Sequence, residues 1–215
     1  MKERVMRWVF ALTACASIAA VILICVFLFA NGVPAMAEIG FFNFVGGQRW
    51  KPSSGLYGIW PMIVGSLYVT AGALIVGVPA GIFTAMYLAR FCNKRLYRFL
   101  KPAINLLAGI PSVVYGFFGL VVLVPLVREW LGGTGMSTLT ASVLLGIMIL
   151  PTIIGVAESA IRAVPEAYYE GALALGATHE RSVFFVVLRA ARSGVLAGVV
   201  LGIGRAIGET MAVIM

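Results

Sequence analysis

No aspartate occurs anywhere in the 215 residues, and the only histidine is His179. A metal cluster built on several histidines is therefore excluded within this chain. The eight acids are all Glu and face 12 Arg and 4 Lys, for a net charge of +8. Charge of either sign is scarce, at 11% of residues against about 25% in ordinary soluble domains. The three cysteines, Cys15, Cys25 and Cys92, form no CxxC pair. Neither a disulfide nor a metal reading gains support from them, and small packing residues are expected instead. No G-x-x-x-x-G-K-[ST] phosphate cradle is present, nor any nucleophile–base constellation. The chain is expected to be no enzyme and to hold no cofactor and no metal.

What fills the space is apolar. Hydrophobic residues make up 61% of the chain, and the mean hydropathy is +1.04. Runs of about 20 apolar residues imply membrane-spanning helices. Five are predicted: about 8–30, 61–89, 103–127, 138–157, and a fifth that begins near 194 and is still apolar at Met215. The start, "MKERVMR" before "WVFALTACASIAAVILICVFLFA", has the look of a signal peptide, and "AMA" at 35–37 that of a cleavage site. The apolar run is too long for that, since a signal core has about 7–15 residues. A retained first span is expected.

Basic residues set the orientation. Twelve Lys and Arg fall at the N-terminus and in the loops after spans two and four, against Arg49, Lys51 and Arg128 on the other side. The N-terminus is thus expected in the cytoplasm, and positive charge serves membrane topology rather than nucleic acid. Two long connections stand out. Residues 31–60 lie outside and, rich in Gly and aromatics, are expected to pack on the membrane surface. Residues 158–193 lie inside and look helical, with Pro165 suited to a first turn and Glu166 and Glu170 near the positive end of the dipole. The division expected is residues 1–60, a first span with its external loop, and 61–215, a helical domain. The ending "MAVIM", without a polar residue, predicts further chain: the rest of span five and at least a sixth span.

The inner loop carries the most specific pattern. In "PEAYYEGALALGATHERSVFFVVLRAA", Glu170-Gly171-Ala172 is followed by three residues, Gly176, nine residues, then Val186-x-Leu188. This resembles the EAA-x3-G-x9-I-x-L-P loop of ABC importer permeases, with Gly171 in place of an alanine and Arg189 in place of the proline. The resemblance implies a short helix-turn-helix that docks on a cytoplasmic ATPase through Glu170, Gly171, Ala172, Gly176 and Leu188. "AGIPSVVYGFFGL" (108–120), "LPTIIGVAESAIRAVP" (150–165) and "GIGRAIGETMAV" (202–213) are similar to permeases of Pst-type phosphate importers, on the PstC-like rather than the PstA-like side. That resemblance covers nearly all of residues 55–215. It implies an all-α, type I importer-like permease fold in a bacterial inner membrane. It also implies a second PstA-like permease, PstB-like ATPases, a PstS-like binding protein outside, and inorganic phosphate as cargo.

Other features have readings of their own. Gly109, Pro111 and Ser112 mark a helix break or gate, with a mere kink the equal alternative. Gly65, Gly72, Gly77 and Gly81, and the stripe Gly194, Gly198 and Gly202, predict close helix packing. Glu158 and Arg162, four residues apart, predict an interfacial ion pair, with a gating role as the alternative. Arg205 lies about 16 Å into span five at 1.5 Å per residue, near mid-membrane, with Glu209 about one turn further on the same face. An arginine there costs about 2.5–3.5 kcal/mol unless it faces protein, charge or water. Either the two charges neutralise each other and lock packing, or Arg205 lines the path and meets phosphate while Glu209 partly neutralises it. The expected function is the membrane half of an ATP-driven phosphate importer. The rivals are an ABC permease for molybdate, sulfate or an amino acid, an ion-coupled secondary transporter or channel, and a non-transporting scaffold.

Overall fold

The computed structural model describes residues 2–214, with side chains from Glu3 to Val213. The chain forms two compact units, one ending at Val64 and the other starting at Gly65.

In the first unit, α1 (Lys2–Ile39) is one helix of 38 residues, about 57 Å long. It continues nine residues past the expected end at 30 and absorbs the start of the supposed external loop. Two local causes are visible. Asn31 turns its amide back onto the Phe27 carbonyl at 2.7 Å rather than opening a turn. Ala35, Met36, Ala37 and Glu38 are strong helix formers, so Pro34 forfeits one bond without ending the helix. Cys15 and Cys25 are exposed on α1, contrary to a packing role. Gly40, at φ +86°, separates α1 from α2 (Phe41–Gly46). Then β1 (Trp50–Lys51) pairs antiparallel with β2 (Leu56–Tyr57). Trp50 lies opposite Tyr57, their rings edge-on at 5.9 Å.

The second unit contains most of α3 (Trp60–Met86), which runs on as a π turn through Phe91. Next come α4 (Lys94–Gly109), α5 (Ser112–Phe118), a π turn over 119–123, and α6 (Val124–Leu131). After a glycine-rich turn come α7 (Thr138–Arg162), α8 (Glu166–Ala174) and α9 (His179–Ser182). A further π turn over 183–187 leads to α10 (Leu188–Ala190), α11 (Arg192–Gly208) and α12 (Met211–Ile214). Four segments are long and apolar enough to cross a membrane: Glu3–Ile39, Trp60–Phe91, Ser112–Leu131 and Thr138–Arg162. His179–Ala190 and Arg192–Gly208, bent by 72°, make a fifth if taken together. The third span starts at Ser112, not at 103. Four cations at Lys94, Arg95, Arg98 and Lys101 hold the preceding segment apart as α4, and Pro111 prevents the two from fusing.

The buried axis of this unit is α7. Glycine stripes on two neighbours let them close on it. A Cβ at Gly77 or Gly81 of α3 would strike Ile149 or Ile153, and one at Gly72 would strike Ser142. On α11, Gly194 meets Ala160, Gly198 meets Val156, and Gly202 meets Ile153. Hydrocarbon solvent gives helices no hydrophobic reason to associate, so close backbone approach and dispersion take over. Gly65 does not belong with these: nothing lies within 4 Å of its would-be Cβ. Ala85, Met86, Ala157, Ile161, Val187 and Val195 fill the core at one end of α7, and Ala73, Leu145, Ile149, Ile153 and Ala206 fill its middle.

Candidate functional site

Two helix breaks meet beside α7. The first lies between α4 and α5, where Ile110 and Pro111 are extended (ψ 127° and 141°) after Gly109, and Ser112 opens α5. Tyr115 spans this break by donating its hydroxyl to the Leu107 carbonyl at 2.9 Å. The second lies after α11, which ends at Gly208, with Glu209 extended at ψ 120°. Ala212 of α12 packs in one cluster with Tyr115, Leu144 and Met148, with Ile110 against it. Sequence spacing does not reveal that these breaks are neighbours, since Pro111 and Glu209 stand 98 positions apart.

The second break corrects the reading of Arg205 and Glu209. Because the helix stops at Gly208, the two side chains are not one turn apart on a continuous helix. Glu209 Oε1 instead accepts the Ala212 N–H at 3.1 Å and caps α12. Arg205 Nη1 donates to Thr152 Oγ1 of α7 at 3.1 Å. No Arg205–Glu209 ion pair forms among the described residues. Arg205 is half-buried, and the residue before its partner is Pro151, which interrupts the backbone ladder of α7. The result is a half-buried guanidinium in the apolar bundle that no carboxylate among the described residues neutralises.

Glu158 is the centre of a polar cluster that sequence reading saw only in part. It is 1% exposed. Arg162 Nε reaches its Oε1 at 2.9 Å, the expected i,i+4 pair, while Lys101 Nζ of α4 reaches Oε2 at 2.6 Å. Arg162 Nη2 also donates to the Leu88 carbonyl at 2.7 Å, and its guanidinium stacks on Tyr97 at 4.5 Å. A hydrogen bond to Glu158, then burial, holds the Tyr97 phenol above the ordinary tyrosine value, so it stays protonated. One carboxylate thereby ties α7 to α4, and its partner Arg162 ties both to the C-terminal end of α3. The only signal in the sequence is that Lys101 stands among the basic residues of the loop between spans two and three.

Two residues beyond Leu88 a second cluster begins. Arg90 Nη1 binds Glu166 Oε2 of α8 at 2.7 Å and lies over the Tyr169 ring. Tyr169 Oη and His179 Nδ1 share a hydrogen bond at 2.7 Å, and the His179 ring sits edge-on to Phe91 at 4.6 Å. The α8–α9 unit is therefore fastened to the end of α3 by an ion pair and aromatic contacts.

The turn between α8 and α9 has a defined geometry. Gly176 is left-handed (φ +82°), its N–H bonds the Leu173 carbonyl at 2.9 Å, and the Ala177 N–H bonds the Ala172 carbonyl at 3.1 Å. That pair is a Schellman cap, and Thr178 then caps α9 through the Arg181 N–H. Glu170 and Gly171 face solvent, Ala172 is half-buried, and Leu175 at the apex is 91% exposed. Leu188 does not share that surface: it packs inward against Ala157, Val187 and their neighbours. The spacing pattern pointed to Leu188 and passed over Leu175. Among the described residues no group of three or more His, Cys or Glu gathers to hold a metal ion.

Residues 77–215 match the family described as "Binding-protein-dependent transport system inner membrane component". The chain belongs to this family. Among curated relatives, the permease is 40% identical to the Bacillus subtilis protein named "Probable ABC transporter permease protein YqgH", over 94% of this chain and 68% of that one. It is 35% identical to the "Phosphate transport system permease protein PstC" of Mesorhizobium japonicum, over 86% and 63% of the two chains. It is 36% identical to the protein of the same name from Pasteurella multocida, over 80% and 60%. The chain thus spans about two thirds or less of the length of these relatives. Its fold is that of an ABC importer permease. A solved structure of the MetNI methionine ABC transporter, facing inward, aligns with a TM-score of 0.55 at 24% identity, over 70% of this chain and 68% of that one.

Proposed function

We propose that the chain is one membrane-spanning subunit of an ATP-driven phosphate importer. The observation that carries this is Arg205. A cation inside the bundle, held by a neutral threonine and without a carboxylate partner among the described residues, is set up to receive a tetrahedral oxyanion through paired N–H donors. Two of the relatives described above are named phosphate permeases, which supports phosphate over other solutes. Thr152 orients the guanidinium. Glu209, engaged in capping α12, sets where α11 stops and so where Arg205 sits.

The α8–α9 turn is the surface for a separate ATPase, with Glu170, Gly171 and Leu175 facing outward. Movement imposed there reaches the inner end of α3 through Arg90, and α4 through Arg162 and Glu158. From α4 it arrives at the break over Gly109, Pro111 and Ser112, which opens and closes the path. A second, PstA-like permease completes the pathway, and a PstS-like protein delivers phosphate outside. Orientation follows the basic residues: N-terminus in the cytoplasm of a bacterial inner membrane.

The test is Arg205→Gln in the assembled transporter. Phosphate uptake should fall at least tenfold while subunits co-purify normally and basal ATP hydrolysis persists. Undiminished uptake by an intact complex overturns the assignment.

A further inference from the structure

The helix α4 has three sides. At 100° per residue, Tyr97, Leu100, Lys101 and Ile104 share one side and are its half-buried positions, turned to the protein. Lys94 and Arg98 lie on a second, and Arg95 stands at the border between it and the third. Phe99 and Leu106, 75% and 73% exposed, lie on a third. Lys101 spends its charge on Glu158. Lys94, Arg95 and Arg98 have no ion-pair partner among the described residues, and no acid occurs in the sequence between Glu38 and Glu129. The helix begins three residues after the membrane segment Trp60–Phe91 and ends three residues before the one that starts at Ser112. Both its ends are thereby held near the bilayer.

We propose that α4 is an interfacial helix that binds anionic phospholipid, with Lys94, Arg95 and Arg98 on the phosphodiester headgroups and Phe99 and Leu106 at the acyl boundary. Charge complementarity and the apolar strip point to the same occupant. An acidic protein surface would satisfy the cations and leave Phe99 and Leu106 in water. A leaflet takes both sides at once, because a helix lying in the interface presents one face to headgroups and another to chains. The bound leaflet then anchors the segment that Lys101 joins to Glu158, so lipid charge bears on how α4 sits against α7. This rests on the chain's being a membrane permease and not on the identity of its cargo.

Native mass spectrometry of the full chain, released from micelles containing phosphatidylglycerol and phosphatidylethanolamine, reads the preference directly. The wild type should retain phosphatidylglycerol preferentially. K94Q/R95Q/R98Q should lose that preference by about tenfold or more, and Arg98→Gln alone by about fivefold. R4Q/R7Q should retain it, and millimolar inorganic phosphate at constant ionic strength should not displace the lipid. Three results overturn the proposal: an unchanged preference in the triple variant, displacement of lipid by inorganic phosphate, or loss of ATPase co-purification in that variant with lipid retention intact, which would assign the surface to a protein. Arg98→Gln keeps the test valid if the triple variant fails to fold.

Discussion

Lys101 Nζ lies 2.6 Å from Glu158 Oε2, joining α4 to α7 across 57 residues of sequence. The carboxylate is buried, while Lys101 is half-buried and Arg162 is exposed. Stability therefore depends on the acid more than on either base. Removing Glu158 breaks both ion pairs at once, whereas removing either base leaves the buried carboxylate one cationic partner.

Glu158→Gln should accordingly lower stability by about 2–3 kcal/mol, at or below the range for breaking a buried pair. Lys101→Met should cost less, because Arg162 remains on the carboxylate. Thermal unfolding of the purified chain in detergent gives both numbers. Equal effects from the two substitutions would refute this account.

Arg90→Ala should loosen α8 without unfolding the bundle. It removes the contact to Glu166 and the stack on Tyr169, leaving the fastening to Tyr169–His179 and Phe91. Hydrogen exchange over residues 166–174 should accelerate by about tenfold, corresponding to about 1.4 kcal/mol of local opening. Exchange across Ser142–Ile153 of α7 should not change. Unaltered exchange in α8 would show that Arg90 does not hold it.

The glycines divide into two classes. Gly202→Val drives carbon into Ile153 and should destabilise by about 1–3 kcal/mol, the usual cost of overpacking. Gly65→Ala meets open space and should be neutral or stabilising by up to about 1 kcal/mol, through helix propensity alone. Thermal midpoints of the two variants, measured side by side, check the contrast.

Gly176→Ala and Gly171→Ala should act in opposite directions. Gly176 occupies the left-handed region, where a Cβ costs about 1 kcal/mol. Gly171 lies inside α8 with nothing near its would-be Cβ, so alanine should firm the helix by about 0.5–1 kcal/mol. Exchange of the α8 amides should rise in the first variant and fall in the second. A fall in both would mean that the Schellman turn does not determine the conformation of this loop.

Much of this architecture was legible beforehand. Apolar runs located the spans because burying about 20 residues in hydrocarbon leaves helix as the only backbone solution. The Gly194, Gly198 and Gly202 stripe announced a close neighbour, since small residues at four-residue spacing share one face. Gly176 announced a turn. The misses have equally physical causes. Sequence pattern ends α1 too early because Asn, Gly and Pro close together read as a loop, yet in this unit the Asn31 side chain bonds back to the helix. Sequence pattern starts the third span too early because hydropathy averages over α4, whose apolar and cationic sides cancel. Lys101 was counted only as a topology signal, because nothing in local sequence reports a carboxylate 57 positions away.

Sequence alone determined that this chain belongs in a membrane, where its long apolar segments lie to within several residues, and where an arginine would be forced to find company. Those outcomes follow from transfer free energies and local periodicity, which need no knowledge of neighbours. Only the tertiary structure decided who that company is. Arg205 chose Thr152 over Glu209 because α11 ends at Gly208 and turns the glutamate onto α12. Glu158 gathered Lys101 and Arg162 because packing brought α4 against α7. Electrostatic partnership is a matter of distance in space, and a broken helix changes that distance while leaving the spacing along the chain the same.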